Sequence, residues 1–271
     1  MKVKVLICDS AREGFIAEHG LSLYIETATA KILFDFGQSD AFSSNAERTG
    51  ADLSKVDFAV LSHDHYDHGG GIEKFFGLNH AAEVFAANDI FGMRYSRGGS
   101  KYAGIDLKLK GDPRFIPVGK TLELRHGINL GSLEKKDEIY PVSSDGLFTL
   151  KDFELVPDDF SHERYLIIQE NGKRVLVSGC SHKGILNIAN RFRPDVFIGG
   201  FHLGGAIGKY GEEYVLNIAR RLGVLGGNYF TMHCTGDAEY RLMKTVLGEK
   251  LNELKAGEEL NTDIFYEASN G

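Results

Sequence analysis

Short apolar runs separated by glycines and acids set the rhythm of the chain. Val3–Ile7 is apolar, rich in β-branched residues and too short for a helix, which predicts a buried strand. Leu21–Ile25 and Lys31–Asp35 repeat that signature on either side of Thr27–Ala30, the pattern of a hairpin. Asp40–Arg48 reads as a helix stopped by Gly50. Asp57–Ser62 is a strand that runs straight into a histidine- and aspartate-rich stretch, a short helix follows around Ile72–Phe76, and Glu83–Ala87 is again a strand.

Strand signals resume at Ile139–Val142 and Leu147–Leu150. Tyr165–Gln169 and Arg174–Ser178 flank Asn171-Gly172, the strongest short hairpin signal available to a sequence. Ile185, Ile188, Ala189 and Phe192 fall at i, i+3, i+4 and i+7, one helical stripe. Asp195–Ile198 and Tyr229–Met232 are strands, and Glu212–Leu222 and Ala238–Leu247 are helices. A hairpin-rich sheet followed by alternating strands and helices, arranged roughly twice, predicts two packed sheets with helices outside. No Pro- or Ser-rich linker interrupts the chain, so residues 1–271 are expected to form one domain.

Composition narrows the class. With 42% hydrophobic and 25% charged residues the 271-residue chain has an ordinary globular balance, which excludes disorder, collagen and coiled coil. Three cysteines are too few and too odd in number for a disulfide framework. The N-terminal apolar run is too short for a secretory signal and no run approaches a membrane span, so a cytoplasmic location with no membrane partner is expected. The net charge of −7 argues against a nucleic-acid partner. It hides a basic, Gly-rich stretch from Met93 to Arg114, six cations against Asp106 and Asp112, that reads as an insertion or lid. Arg94 and Arg97 in that stretch are the candidates for binding an anionic group of a small-molecule substrate.

The chemistry is concentrated in His63-Asp64-His65-Tyr66-Asp67-His68. Imidazole suits zinc, copper, iron or nickel, and carboxylate adds a harder donor. In a turn after a strand, His63 and His65 can converge on one ion while Asp67 and His68 face a second. Gly69-Gly70-Gly71 then lets the backbone turn tightly. Asp64 is read either as a carboxylate supporting a ligand imidazole or as a solvated loop acid.

His-x-His-x-Asp-His after an apolar strand, followed by glycines, resembles the signature of the metallo-β-lactamase superfamily. Leu33-Phe34-Asp35-Phe36-Gly37 is similar to the family's early Asp motif, and Thr231-Met232-His233 to its last histidine ligand. The resemblance implies a four-layer αββα sandwich in the α/β (α+β) class. It also implies two divalent metal ions, zinc first and iron or manganese as alternatives, held by His63, His65, Asp67, His68, His182 and His233. Val177-Ser178-Gly179-Cys180 stands where many members carry a bridging aspartate, so Cys180 is a further possible ligand. Whether Cys180, His162 or His182 completes the site stays open, with His182 preferred and His162 read as a surface histidine.

A narrower resemblance rests on Glu18–Ser22, Ser178–Ile185, Gly199–Leu203 and His233–Gly236. It points to a branch of metal-dependent hydrolases that also includes dihydropterin–ribofuranosylaminobenzene phosphate synthases. The implied activity is hydrolysis of a small anionic substrate, phosphate-bearing or not, by a metal-bound hydroxide, with Asp67 and His202 catalytic and His19 touching substrate. A transferase joining a pterin to a ribofuranosylaminobenzene phosphate, and a redox or non-catalytic metal protein, are the alternatives. Redox branches carry Glu where this chain has His65, which favours hydrolysis. His80 and His126 are read as surface residues.

Overall fold

A computed structural model describes residues 1–144 and 146–262. Lys2–Ile7 pairs antiparallel with Ser22–Glu26, which forms the expected hairpin with Lys31–Phe34, Ile25 opposite Ile32. Phe58–Val60, Glu83–Ala87 and Phe115–Val118 then add in parallel, and Glu259–Asn261 closes the other edge of this seven-stranded sheet. A second seven-stranded sheet runs Leu251–Glu253, Asn228–Thr231, Val196–Gly199, Lys173–Val177, Tyr165–Glu170, Ile128–Gly131 and Thr121–Arg125. At its Asn171-Gly172 turn both residues have positive φ, 52° and 73°, as a two-residue hairpin of this hand requires.

Both faces of each sheet are covered, which is why the central strands read as apolar runs rather than as alternation. Val3, Val5, Leu23 and Ile25 of the first sheet pack against Leu166, Val175, Val177 and Ile198 of the second. Leu33, Ala59 and Val84 face outward onto Phe42, Ala46 and Phe75 of the helices Ala41–Thr49 and Ile72–Leu78. Leu176, Phe197 and Tyr229 face outward onto Ile188, Val215, Leu222 and Met243 of Ile185–Phe192, Glu212–Leu225 and Asp237–Leu247. Each such side chain, fully buried, contributes about 1.5–3 kcal/mol of transfer free energy. The layers are helix, sheet, sheet, helix: the αββα sandwich expected.

Gly50 stops the first helix as expected, in a left-handed cap (φ 68°) whose N–H reaches the carbonyls of Ala46 and Glu47. Gly69-Gly70-Gly71 works differently from the sequence reading. None of the three has positive φ. A Cβ at Gly70 would lie 2.2 Å from the Gln38 carbonyl oxygen and one at Gly71 2.3 Å from that of Phe36. Close backbone packing, and no tight turn, requires these glycines.

One further expectation is corrected. Ile139–Val142 is irregular, because Asn187 takes both the N–H and the carbonyl of Tyr140 (2.8 and 3.0 Å) away from any strand partner. The basic stretch carries regular structure. Arg94–Ser96 and Lys101–Tyr102 join Phe148–Lys151 and Glu154–Pro157 in a four-stranded sheet. Among the described residues no helix is long and apolar enough to cross a membrane.

Candidate metal centre

Loops that follow the C-terminal ends of strands meet at one end of the sandwich, where open α/β sheets bind their ligands. Phe58–Val60 delivers residues 63–68, Lys173–Val177 delivers Cys180 and His182, Val196–Gly199 delivers His202, and Asn228–Thr231 delivers His233. Asp35 ends Lys31–Phe34 with φ 59°, and its carboxylate accepts the Ser62 N–H (2.7 Å), the Ser62 hydroxyl (2.7 Å) and His68 Nδ1–H (2.7 Å). The positive φ aims this buried carboxylate at the root of the histidine loop. Tyr66 N–H donates to Ala103 O (2.9 Å), which ties the loop to the small sheet as well.

His63, His65 and His182 form the first half of the centre. Their donor atoms lie within 4.8 Å of one another, and all three rings are buried. His63 Nε2 and His182 Nε2 are 3.3 Å apart. His182 stacks on Phe160, centroids 4.4 Å apart at 11°, while its backbone N–H donates to Glu163 (2.8 Å). Burial, then the neighbouring imidazoles, pushes His63 and His182 well below the usual histidine range and His65 down to about 4. These rings are therefore neutral lone-pair donors. His65 Nε2 and His182 Nδ1 have no hydrogen-bond partner among the described residues.

The second half surrounds Asp67. Its Oδ2 lies 3.4 Å from His233 Nε2, 3.5 Å from His19 Nε2 and 3.6 Å from His68 Nε2. Burial would raise this carboxyl, but His68 and His233 hold it far below the carboxylate range. Asp9 clasps two of the rings from behind, accepting from His233 Nδ1 (2.6 Å) and His19 Nδ1 (3.0 Å). Cys180 Sγ lies 3.1 Å from His68 Nε2. Four site residues without a glycine's freedom hold left-handed backbone: Asp35, Ser181, His202 and His233, φ 50–62°. Such conformations persist only where the surroundings over-determine them.

Buried imidazoles facing one another, two of their nitrogens orphaned, and a carboxylate beside them make a donor set that fits divalent ions of the zinc class.

Other sequence-read residues lie elsewhere. Arg94 is not at an open rim. It is buried, its Nε 3.1 Å from both Asp64 oxygens, with its other nitrogens on Asp89 (3.1 Å) and Thr149 (2.7 Å). An arginine so engaged has no fork left for a substrate anion. Arg97 is exposed in a turn (φ 51°) and has no ion pair with the cluster among the described residues. His162 is not a surface histidine. It is buried between Asp64 (2.5 Å) and Asp158 (3.3 Å), and although burial opposes its charge, these acids raise it to about 9. Asp64 is accordingly a buried ion-pair partner of His162 and Arg94, not a solvated loop acid. His202 packs on His182, centroids 4.2 Å apart. His80 and His126 are exposed.

Sequence reasoning missed Asp9, Glu163 and Cys234. Cys234 shares a cluster with Cys180 and His233. Asp9 follows the first strand directly, a position that could have flagged it. Beside His182, His202 and Cys234 opens a cavity of about 660 Å³.

Residues 16–183 match the family model of the metallo-beta-lactamase superfamily. An uncharacterized protein of Methanocaldococcus jannaschii is 28% identical over 256 residues, 86% of this chain and 90% of that protein. From the same organism, 7,8-dihydropterin-6-methyl-4-(beta-D-ribofuranosyl)-aminobenzene-5'-phosphate synthase is 28% identical over 270 residues, 90% of each chain. The crystal structure of Tm1679, a metal-dependent hydrolase of the beta-lactamase superfamily, superposes with a TM-score of 0.81 at 28% identity, covering 97% of this chain and 99% of that one. Zn(2+)-bound PqqB from Methylobacterium extorquens shares the fold at 13% identity, with a TM-score of 0.59 and coverage of 96% and 100%.

Proposed function

The chain belongs to the metallo-β-lactamase superfamily, and on that premise we propose that it is a dinuclear metal-dependent hydrolase of a small anionic substrate. His63, His65 and His182 would hold one divalent ion; Asp67, His68 and His233 would hold a second, zinc being the natural choice for this donor set. The observation that carries this reading is the meeting of three buried imidazoles at His63, His65 and His182 beside the buried carboxylate of Asp67.

Two divalent ions bound there supply an acidified water, its pKa brought toward about 7, and electrophilic stabilisation of developing negative charge. The protein's own groups do the rest. Asp35 fixes the His68 ring so that Nε2 faces the centre, and Asp9 does the same for His233. Such partners orient a ligand and raise its basicity. Asp67 holds a negative charge among three imidazoles and orients the attacking water. Phe160 covers the face of His182 and keeps bulk water off it. His202, on the cavity wall next to His182, would hand a proton to the leaving group. His19, half-exposed beside Asp67, meets the incoming substrate.

Metal analysis tests the assignment. Protein loaded with zinc and dialysed should hold two ions per chain; His182→Ala and His233→Ala should each lose one and all turnover. Two tightly held ions in His233→Ala sink the ligand set. A loaded protein that cleaves nothing in a broad panel of phosphodiesters, esters and lactones sinks the hydrolase reading. The match to a synthase over 90% of both chains supports a second reading, group transfer from a pterin alcohol pyrophosphate. Release of pyrophosphate with a ribosyl aminobenzene acceptor is its test.

A further inference from the structure

We propose that Cys180 and Cys234 are a site of reversible oxidation: a peroxide joins their sulfurs in a disulfide, and the protein so closed cannot hold an ion in the second half of the centre. The bond rests on the two thiols alone. The loss of the ion rests on the ligand set proposed above.

The two cysteines are 54 residues apart and belong to different loops, Cys180 beyond Lys173–Val177 and Cys234 beyond Asn228–Thr231. Gly200 lies between the loops. Its N–H donates to the Gly179 carbonyl (2.8 Å), and a Cβ there would lie 2.5 Å from Cys234 Sγ and 3.5 Å from Cys180 Cα. A side chain at this position would push the Cys234 sulfur away. With glycine there, Cys234 Sγ reaches the Cys180 carbonyl (3.6 Å), and the two sulfurs lie within 4.8 Å of each other. A disulfide is about 2.05 Å long, so the sulfurs must close by less than about 3 Å, a distance that rotation about the two Cα–Cβ bonds spans. The third cysteine is set apart. Cys8 is buried in the core between the sheets, its sulfur engaged by Leu254 O (3.6 Å) and the His233 N–H (3.4 Å).

The two thiols are unequally placed. Cys180 is buried, its Sγ 3.1 Å from His68 Nε2. Cys234 is half-buried and forms part of the cavity wall, so a peroxide that enters there meets it first. The Cys234 sulfur takes one peroxide oxygen as the O–O bond breaks, giving a sulfenic acid, and its thiol proton leaves with the other oxygen as water. The Cys180 sulfur then attacks that sulfur. The S–S bond forms, the S–OH bond breaks, and hydroxide leaves with the Cys180 proton as a second water. The thiols lose two electrons and two protons, and the peroxide takes both. An accessible thiol beside a resolving thiol is the arrangement that halts oxidation at a disulfide. A thiol reductant reverses it by exchange.

Both sulfurs border the second half of the centre. The Cys180 sulfur clusters with His63 and His68, and both sulfurs cluster with His233. In the disulfide neither sulfur can become a thiolate, the form that binds metal. Drawing Cys234 toward Cys180 also pulls on His233, its neighbour in the chain.

The test treats the full chain, stripped of metal with a chelator, with hydrogen peroxide and digests it with trypsin without reductant. We expect peptides 175–183 and 222–241 to be linked, the intact mass to fall by about 2 Da, and free thiols to drop from three to one, all restored by dithiothreitol. Cys8→Ala should oxidise in the same way, and Cys180→Ser should instead pass to a sulfinic acid at Cys234. A link to Cys8, a link between chains, or a sulfinic acid at Cys234 in the parent with Cys180 still reduced overturns the proposal. After loading with zinc and dialysis, the reduced protein should hold two ions and the oxidised protein one. Two ions in the disulfide form overturn the loss of the ion and leave the bond standing. A reduced protein that holds no zinc removes the metal reading, and the loss of the ion with it, while the linked peptides uphold the bond.

Discussion

Asp35 Oδ2 lies 2.7 Å from His68 Nδ1, and this contact decides which nitrogen His68 offers to the centre. A carboxylate only accepts, so the proton sits on Nδ1 and the lone pair on Nε2, 3.1 Å from Cys180 Sγ. Asp35→Asn should lower metal affinity about 10- to 100-fold with little change in secondary structure. Competition with a chelator of known affinity measures it. Unchanged affinity would show that packing alone sets the ring.

His162 makes stability depend on alkaline pH. Its folded pKa of about 9 lies above the unfolded value of roughly 6.5. The stabilisation is therefore complete below about 6.5 and is lost as pH rises through about 9, a total on the order of 3 kcal/mol. Urea midpoints from pH 6 to 9.5 should fall more steeply for the parent than for His162→Gln. Parallel curves would mean that His162 is neutral in the folded protein.

Arg94→Met removes a guanidinium bound to buried Asp64 and leaves His162 as that acid's main counter-charge. Breaking a buried pair on one side should cost about 3–5 kcal/mol. Arg94→Lys should recover little, since one ammonium cannot serve Asp64, Asp89 and Thr149 together. Denaturant melts give the stability. A loss of affinity for anionic ligands in Arg94→Lys with no loss of stability would return Arg94 to the binding site.

Gly179→Ala should damage the centre without unfolding the sheet. The new Cβ would lie 2.2 Å from Ser62 Oγ and 3.1 Å from His63 Nδ1, and Ser62 Oγ is itself 2.8 Å from His63 Nδ1. Displacing that hydroxyl tilts the ring. Zinc content should fall toward one ion per chain while the far-ultraviolet circular dichroism keeps its shape. Retention of two ions would show that the loop relaxes around the methyl.

How far the sequence could be read depended on how local each interaction was. His63–His68 stood out because one loop after one strand carries the whole run, and the Asn171-Gly172 hairpin because two residues decide it. His182 and His233 were expected through the family resemblance alone, each lying just beyond an apolar strand. Asp9 was not, since its partner His233 is 224 residues away and only its place just after the first strand hints at it. His162 was misread for the same reason: Asp64, 98 residues earlier, makes it a buried cation. Arg94 was misread because counting charge along a segment says nothing of which cation the fold turns inward. The cavity escaped because Ile139–Val142 is an apolar run that reads as a strand, whereas Asn187 from a distant helix holds it as an irregular wall.

The donors of the centre come from opposite halves of the sandwich, His63 to His68 from one sheet and His182 and His233 from the other. An ion held between them would be a rivet through two plates joined otherwise by apolar contact and by polar bridges such as Asp9–His233 and Asp64–His162. Occupancy then adds to folding stability by mass action, about 2.7 kcal/mol for an ion at a hundred times its dissociation constant. The temperature such a metal-loaded protein withstands would then be a property of the surrounding metal supply as much as of its own chain.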